Sequence, residues 1–319
     1  MPTEVSIVIP NWNGAELLRE HLPALKAVLD EEAPDVETIV VDDGSQDESL
    51  AVLENEFPWV RVVVHEQNRG FGPACLSGVQ AATARRVFLL NSDVHVLPGF
   101  LRPLVAAFEA DPSLFSAAAV ALSEDGVSYH DTLRRPIWSR GNIAFEKLSE
   151  EQVREEFATG APRPTLFATG GHALVDRERF LGLGGFSPLY HPFYWEDIDL
   201  GYRAWKRGWP TVVVPTSRVI HQDVGTIRTH FEKRGLDDVS RRNRYLFTWQ
   251  NITSSRMLWT RHLLPLSLKV LTRWLVGDRR FYQVLNAAVR RRPAALRGRS
   301  DEKAAQVLTD EEVWRRVRC

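Results

Sequence analysis

Three carboxylates occur within four consecutive positions of one stretch of the chain, as Glu196, Asp197 and Asp199. They follow an aromatic, proline-containing turn and stand at the start of a predicted helix, where the helix dipole favours anions. An acid crowded by other acids has a raised pKa, which suits a general base. Acids at a helix start can equally be ordinary capping charges. Their function therefore depends on what the rest of the chain places beside them.

Four repeats of a short apolar strand followed by a helix occupy about the first 110 residues. The strands are predicted at Val5–Ile9, Thr38–Val41, Val60–Val64 and Arg86–Leu90. Such repeats are typical of a doubly wound parallel sheet, in which ligands bind at the carboxyl ends of the strands. The sequence therefore predicts an α/β fold with a nucleotide-type site at one rim of the sheet.

Polar residues follow every one of these strands, namely Asn11, Asp42 with Asp43, Asn68 with Arg69, and Asp93. The chain contains neither a G-x-G-x-x-G motif nor a P-loop, so a bound diphosphate would need another positive partner. A divalent metal held by carboxylates is the natural candidate. His221 ends a later predicted strand, where a lone histidine can be a metal ligand or a structural residue.

The later part of the chain is less regular. A strand is expected at 115–122, a helix near 149–157, a strand at 165–175 interrupted by Gly170 and Gly171, and two short strands at 211–214 and 218–220. Glycines within a strand let a ligand or another backbone approach closely. We predict a catalytic unit over residues 1–227, with a nucleotide half to about 110 and an acceptor half over about 111–227. A basic, helical C-terminal extension is predicted over 228–319.

Six segments resemble, in order, the motifs of the inverting family 2 glycosyltransferases: Val5–Gly14, Ile39–Asp47, Asn68–Gly72, Phe88–Val94, Gly170–Leu174 and Tyr194–Arg203. The overall pattern is most similar to the bacterial rhamnosyltransferase-like branch, which builds cell-wall and surface polysaccharides. The resemblance implies a GT-A fold with a mostly parallel sheet. It also implies metal-dependent transfer of a sugar from a nucleotide-diphosphate donor to a glycan or lipid-linked acceptor. The first guess for the donor is dTDP-rhamnose.

The resemblance also implies roles for individual residues. Asp197 corresponds to the catalytic base, with Glu196 and Asp199 as supporting acids. Asp93 and His221 would bind manganese or magnesium, since Asn91 replaces the first acid of the family's D-x-D motif. The expected nucleotide-sugar ligands are Pro10, Asn11, Asn13, Asp42, Asp43, Asn68, Gly70, Ser92, Asp93 and Gly171. Tyr194 and Trp195 would form a wall for a sugar face, or else belong to the core.

Two other classes of protein remain alternatives. A nucleotidyltransferase that makes nucleotide sugars has a related architecture, but it normally carries a basic, glycine-rich loop after the first strand, and Pro10–Gly14 is not such a loop. A non-catalytic sugar-nucleotide-binding or glycan-binding protein is the second alternative. The joint presence of Asp93, Glu196, Asp197 and His221 argues against it.

Charge is distributed unevenly along the chain. Residues 228–300 contain 17 Lys/Arg and 4 Asp/Glu, a net of +13, whereas the whole chain has a net charge of −1. Within this region, residues 257–276 read as a basic amphipathic helix with tryptophans, which is typical of an anionic membrane surface. Packing on the domain or on a twin subunit in a homodimer is the alternative. No nucleic-acid module is recognisable, so no nucleic-acid partner is expected.

The expected compartment is the cytoplasm, peripheral to the inner face of the cell membrane. The only two cysteines, Cys75 and Cys319, make no disulfide framework. The first apolar run, Val5–Ile9, is too short for a secretory signal. No uncharged stretch approaches the length of a membrane span.

Overall fold

The computed structural model describes residues 4–130, 133–222 and 233–318. The predicted boundary between residues 227 and 228 lies outside these residues.

The described strands, in chain order, are β1 (Val5–Asn11), β2 (Glu37–Asp42), β3 (Arg61–Val64), β4 (Arg86–Leu90), β5 (Val94–Val96), β6 (Ser116–Leu122), β7 (Arg134–Ser139), β8 (Asn142–Lys147), β9 (Arg163–Pro164), β10 (His172–Asp176) and β11 (Thr211–His221). The described helices are α1 (Ala15–Glu32), α2 (Ser49–Glu56), α3 (Phe71–Ala81), α4 (Leu101–Ala110), α5 (Glu150–Phe157), α6 (Arg177–Gly182), α7 (Glu196–Lys206), α8 (Lys233–Asn251), α9 (Ser255–Met257), α10 (Leu264–Leu275), α11 (Arg279–Ala305) and α12 (Asp310–Arg318). A π-helical segment, Leu258–Leu263, joins α9 to α10, and Pro188–Tyr190 is a single 3₁₀ turn.

The central sheet is mostly parallel, as predicted. Its strand order is β3-β2-β1-β4-β10-β6-β11-β5, with β9 pairing with β11. Strands β1 to β4 are parallel to one another, whereas β10 runs antiparallel to both β4 and β6. Residues such as Ile7, Val40 and Phe88 are completely buried because helices cover both faces of the sheet.

The acceptor half differs from the sequence prediction at three places. The strand expected over 165–175 begins only at His172, and the glycine pair before it belongs to a loop. The two short strands expected at 211–214 and 218–220 are one strand, β11, with a register shift between Val214 and Arg218. No strand is predicted between residues 123 and 163, yet this region contains the β7–β8 hairpin. Its two strands lack the alternation of polar and apolar residues that would have predicted them. Helix α5 lies where expected, and Ser149 and Gln152 cap its N-terminus with a capping box.

The C-terminal helices share a core with α7 and the β7–β8 hairpin. The shared cluster includes Trp195, Tyr202, Phe247, Val313 and Trp314. The Lys206 Nζ donates to Asp310 Oδ1 at 2.6 Å, and both side chains are buried. The helical character predicted for the C-terminal region is therefore confirmed, and the helices are joined to the rest by buried contacts. Within the described residues, we find no helix that is long and apolar enough to cross a membrane.

Candidate active site

The ends of β1 and β2 bring two predicted site residues together. The strand register aligns Asn11 with Asp42, and Asn11 Nδ2 donates to Asp42 Oδ1 at 3.2 Å. Asn11 Oδ1 is buried and accepts no hydrogen bond from any residue that the structure describes. Gly14 makes room for it, because a Cβ at that position would collide with this oxygen. A buried acceptor of this kind is satisfied by a ligand or water.

Asp43 organises the next loop. Its carboxylate accepts from the backbone amides of Arg69 and Gly70, at 2.9 and 2.7 Å, and His65 Nδ1 lies 2.6 Å from the same group. Asp43 is only 3% exposed. The Asp43 carboxylate therefore holds the turn that precedes α3, and these contacts leave it little capacity to bind a ligand.

The other residues expected to bind the nucleotide line the same rim with different exposure. Asn13 Oδ1 accepts from the Gln46 backbone amide at 2.7 Å, so this side chain links the loop after β1 to the loop after β2. Asn68 is exposed and Gly70 is partly exposed, with a φ of 93°. Pro10 and Ser92 are partly buried near the ends of β1 and β4.

Asp93 and His221 lie side by side. Strand β5 pairs with β11 so that Val94 faces His221, and Asp93 Oδ1 is 3.7 Å from His221 Nε2. The ring of His130 lies 4.8 Å from that of His221. Burial raises the pKa of Asp93, and the neighbouring histidines, His221 first, oppose that rise. A carboxylate and an imidazole this close can share one cation.

A loop joins this rim to the start of α7. The backbone amide of Asn91 donates to the Gly171 carbonyl at 2.9 Å, and a Cβ on Gly171 would meet the Asn91 side chain at 2.6 Å. The preceding residue, Gly170, lines a small cavity together with Asp197. The Gly170–Gly171 loop thus packs against the turn that carries Asp93 and shares a cavity with Asp197.

Glu196 and Asp197 form a partly buried acid pair at the start of α7. Burial raises the pKa of Asp197 to about 6, and the Ile198 amide and the charge of Arg134 oppose the rise. Burial, together with the charge of Asp197, raises the pKa of Glu196 to about 8. Glu196 Oε2 accepts no hydrogen bond from a described residue. The pair therefore retains about one proton near neutral pH, a state suited to proton transfer.

Asp199 was predicted to be a supporting acid that tunes or positions the base, and its hydrogen bonds lie in the core. Its carboxylate is fully buried and accepts from Tyr190 Oη, Arg203 Nε and Asn251 Nδ2 at 2.7–2.8 Å. A buried carboxylate satisfied by this many donors anchors α7 in the core. Its charge adds to the rise in the pKa of Glu196, which agrees with a tuning role.

Trp195 belongs to the core and cannot be an open sugar wall. It is 5% exposed, packs on Phe145 and Phe247, and its Nε1 donates to Ser240 Oγ at 3.2 Å. Tyr194 is partly exposed and packs edge-on against Phe193. Of the two aromatic residues, only Tyr194 has surface left for a ligand.

A helix from the C-terminal region holds the turn before the acid pair. Asn243 Nδ2 donates to the carbonyls of Tyr190, Phe193 and Tyr194 at 2.8–3.0 Å. Tyr194 and Trp195 have φ values of 70° and 80°, which non-glycine residues adopt only when surrounding contacts impose them. Sequence reasoning missed Asn243, and the one available signal was an uncharged amide between arginines.

Gly201 lets α7 lie directly on the loop beneath it. A Cβ at this position would meet the Leu166 carbonyl oxygen at 2.5 Å and Phe167 Cα at 2.7 Å. We expect Gly201→Ala to lower the free energy of unfolding by about 1–3 kcal/mol, because rigid backbone must move. Denaturant titration measures this change in the free energy of unfolding. Gly182→Ala is the matched control, since a Cβ there meets nothing within 4 Å. Equal stability of the two variants would contradict the close approach.

Comparison with known proteins adds a family match. Residues 6–178 match the family model described as glycosyl transferase family 2. The N-acetylglucosaminyl-diphospho-decaprenol L-rhamnosyltransferase of Mycobacterium tuberculosis is 28% identical over 204 residues, which are 58% of this chain and 66% of the relative. N-acetylgalactosaminyltransferase 7 of Drosophila melanogaster is 25% identical over 282 residues, 81% of this chain and 46% of the relative. The chain thus spans just under two thirds of the first relative and under half of the second.

Two solved structures share the fold. The crystal structure of GalNAc-T7 with UDP, GalNAc and Mn²⁺ superposes with a TM-score of 0.59 at 20% identity, over 78% of this chain and 48% of that chain. The mannosyltransferase PcManGT from Pyrobaculum calidifontis, in complex with GDP-Man and Mn²⁺, gives a TM-score of 0.52 at 18% identity, over 95% and 74%. At these identities the likeness establishes the fold, which is GT-A as predicted.

Proposed function

Because the chain belongs to glycosyl transferase family 2, we propose that it transfers a sugar, with inversion, from a nucleotide-diphosphate donor to a glycan or lipid-linked acceptor. One observation carries this proposal beyond family membership. Gly171 packs against Asn91 in the turn that carries Asp93 beside His221, and Gly170 lines the same small cavity as Asp197 of α7. A base and a cation site on the two sides of one loop are what inverting transfer requires.

Asp93 and His221 would hold the divalent cation. Asp93 Oδ1 is buried and accepts no hydrogen bond from a described residue, so its lone pairs remain available. No group of three or more His, Cys, Asp or Glu converges within the described ranges, so donor oxygens would complete the shell. When bound, the cation would neutralise charge that develops on the leaving diphosphate. Manganese is favoured over magnesium because it accepts an imidazole ligand more readily.

Asp197 would take the proton from the acceptor hydroxyl. Its Oδ1 accepts from the Ile198 amide at 2.7 Å, so Oδ2 is the oxygen left to receive the proton. Glu196, whose pKa is raised to about 8, would stay protonated at neutral pH and leave the negative charge on Asp197. The low-polarity surroundings that raise both pKa values also strengthen the hydrogen bond to the incoming hydroxyl.

The rim around Asn11 would bind the nucleotide, and dTDP-rhamnose remains the first candidate donor. The mycobacterial relative, an L-rhamnosyltransferase named for an acceptor that carries a lipid diphosphate, supports this choice. By the same argument, the acceptor would be a lipid-linked sugar in polysaccharide synthesis. The enzyme would then work in the cytoplasm at the inner face of the membrane, with the basic region 228–300 against anionic lipid. A homodimer through the C-terminal helices is a further possibility that light scattering tests.

Donor binding provides the test. We expect Asp93→Ala to weaken the binding of dTDP-rhamnose in manganese by roughly 10- to 100-fold, because a removed metal ligand leaves the diphosphate charge uncompensated. Calorimetry with a panel of nucleotide sugars, each with manganese and with a chelator, measures the effect. Asp35→Ala is the control, since Asp35 is exposed and precedes β2, at the end of that strand opposite Asp42 and the rim. Equal donor affinity with and without the chelator would reject the metal site.

Two rival functions are tested by the same samples. Manganese-dependent release of sugar from the donor would exclude a non-catalytic binding protein. Formation of a nucleotide sugar from a nucleoside triphosphate and a sugar phosphate would instead support a nucleotidyltransferase.

A further inference from the structure

Five cationic side chains converge where the β7–β8 turn meets the C-terminal helices. We define the basic cluster as Arg140, Arg241, Arg244, Lys269 and Arg273. Arg241 and Arg244 lie one turn apart on α8, and Lys269 and Arg273 one turn apart on α10, so each pair shares a helix face. Arg140 is in the turn between β7 and β8.

Contacts between these elements bring the five residues to one place. His262 Nδ1 lies 2.6 Å from the Gly141 carbonyl, which seats the β7–β8 turn against the segment before α10. With the Asn142 amide oriented to satisfy its neighbours, its oxygen accepts from Lys269 Nζ at 3.2 Å. The Arg244 guanidinium lies 5.6 Å from the centre of the Trp195 ring. One member of the cluster thus contacts Trp195, the residue that directly precedes the acid pair in sequence.

Among the residues that the structure describes, most of this positive charge has no acidic partner. Arg273 pairs with Asp278 at 3.0 Å, whereas no described carboxylate pairs with Arg140, Arg241, Arg244 or Lys269. Arg244 Nε is buried without a hydrogen-bond acceptor among the described residues. Burial lowers the pKa of Lys269, and the charges of Arg244, Arg273 and Arg140 lower it further. Uncompensated, partly buried cations are costly, and an anionic ligand offsets that cost.

The surroundings of the cluster indicate what carries the anion. Beyond the cluster, α10 has no buried residue and exposes Leu268, Leu271, Trp274 and Leu275 by 63–74%. Exposed apolar surface on this scale, bordered by cations, is typical of contact with lipid. The basic cluster therefore links Trp195, which precedes the acid pair in sequence, to the helix that carries the exposed apolar side chains. A lipid-linked acceptor presents a hydroxyl, a phosphate and a hydrocarbon chain in a corresponding sequence.

We propose that the basic cluster is a binding site for lipid-borne phosphate, placed so that a sugar attached to that phosphate reaches the acid pair. The inference rests on the proposed function, because it identifies where the acceptor of that reaction binds. Arginine and lysine suit this ligand because charge-assisted hydrogen bonds to phosphate are strong and arginine binds it bidentately.

The test compares two double variants of the full chain. Arg244→Gln with Lys269→Gln removes two cluster charges, and Arg256→Gln with Arg261→Gln removes two exposed charges nearby that lie outside the cluster. The probes are farnesyl diphosphate, measured by calorimetry, and phosphatidylcholine vesicles with and without phosphatidylglycerol, measured by flotation. We expect the cluster variant to bind farnesyl diphosphate roughly tenfold more weakly or worse, with the control variant unchanged.

The two probes separate the sources of the phosphate. Selective loss of farnesyl diphosphate binding supports the proposal and assigns the site to a lipid diphosphate. Selective loss of vesicle binding alone assigns the cluster to a phospholipid head group and overturns its role in acceptor binding. If both double variants lose binding equally, or the wild type binds neither probe, the proposal is overturned. Should the cluster variant fail to fold, the single variant Lys269→Gln carries the same comparison. Nucleotide-sugar binding, measured in parallel, separates these outcomes: its absence in the wild type would reject the proposed function instead.

Discussion

Asp197→Asn is expected to reduce the rate of sugar transfer by about 10²- to 10⁴-fold, the usual contribution of a general base, while donor affinity stays unchanged. The amide has nearly the same shape, and its oxygen can still accept from the Ile198 amide as Asp197 Oδ1 does. What it loses is the ability to take a proton. The change should therefore appear in kcat, with little effect on the binding of the donor.

Glu196→Gln is the matched control for this variant. Both residues are partly buried in the first turn of α7, but the raised pKa of Glu196 indicates that it is already neutral when Asp197 is charged. Glu196→Gln should reduce the rate of transfer by less than tenfold, because the variant changes only the surroundings, and so the pKa, of Asp197. Transfer by Asp197→Asn at near wild-type rate, or a larger loss in Glu196→Gln, would show that Asp197 is not the base.

The sheet and its rim could be predicted because they depend on local patterns. Each apolar strand ends at a polar residue, and parallel pairing then necessarily aligns Asn11 with Asp42. The pairing of Asp93 with His221, which are far apart in sequence, followed from the family resemblance, and the structure brings them within 3.7 Å. Their roles in binding stay predictions.

The contacts that bury Asp199 and Trp195 could not be predicted, because packing between residues far apart in sequence decides them. Asp199 and Asp197 are both acids in the first turn of one helix, and nothing in their spacing separates them. Asp199 is assigned to the core by Gln250 and Asn251, which reach it from α8 across about 50 residues of chain. Trp195 is buried for the same reason, since Phe247 of α8 covers its ring.

The basic C-terminal region illustrates the limit of composition. Its charge predicted an anionic partner, and that partner stays a prediction. Composition gave no sign, however, that Asn243 of this region would hold the turn before the acid pair. Nor did it reveal the buried ion pair between α7 and α12, on which the second prediction depends.

Lys206→Met is expected to lower the free energy of unfolding by about 3–5 kcal/mol, because it leaves the buried charge of Asp310 without its cation. Asp310 is 1% exposed, and it also accepts from Tyr202 Oη and the Ser254 amide, at 2.8 and 2.6 Å. These donors hold the carboxylate in place and cannot replace the lost positive charge. Denaturant unfolding, followed by tryptophan fluorescence, measures the change.

A second variant separates the lost charge from lost packing. Lys206→Met combined with Asp310→Asn removes both charges yet keeps an acceptor for Tyr202 and Ser254, so it should recover most of the lost stability. Lys303→Met, at an exposed position on α11, is the control and should change little. Because Lys206 ends the helix that begins with the acid pair, the C-terminal helices and the catalytic unit should unfold in one transition. Two separate transitions, or a loss below 1 kcal/mol in Lys206→Met, would mean that α12 is an appendage and that the acids of α7 do not depend on it.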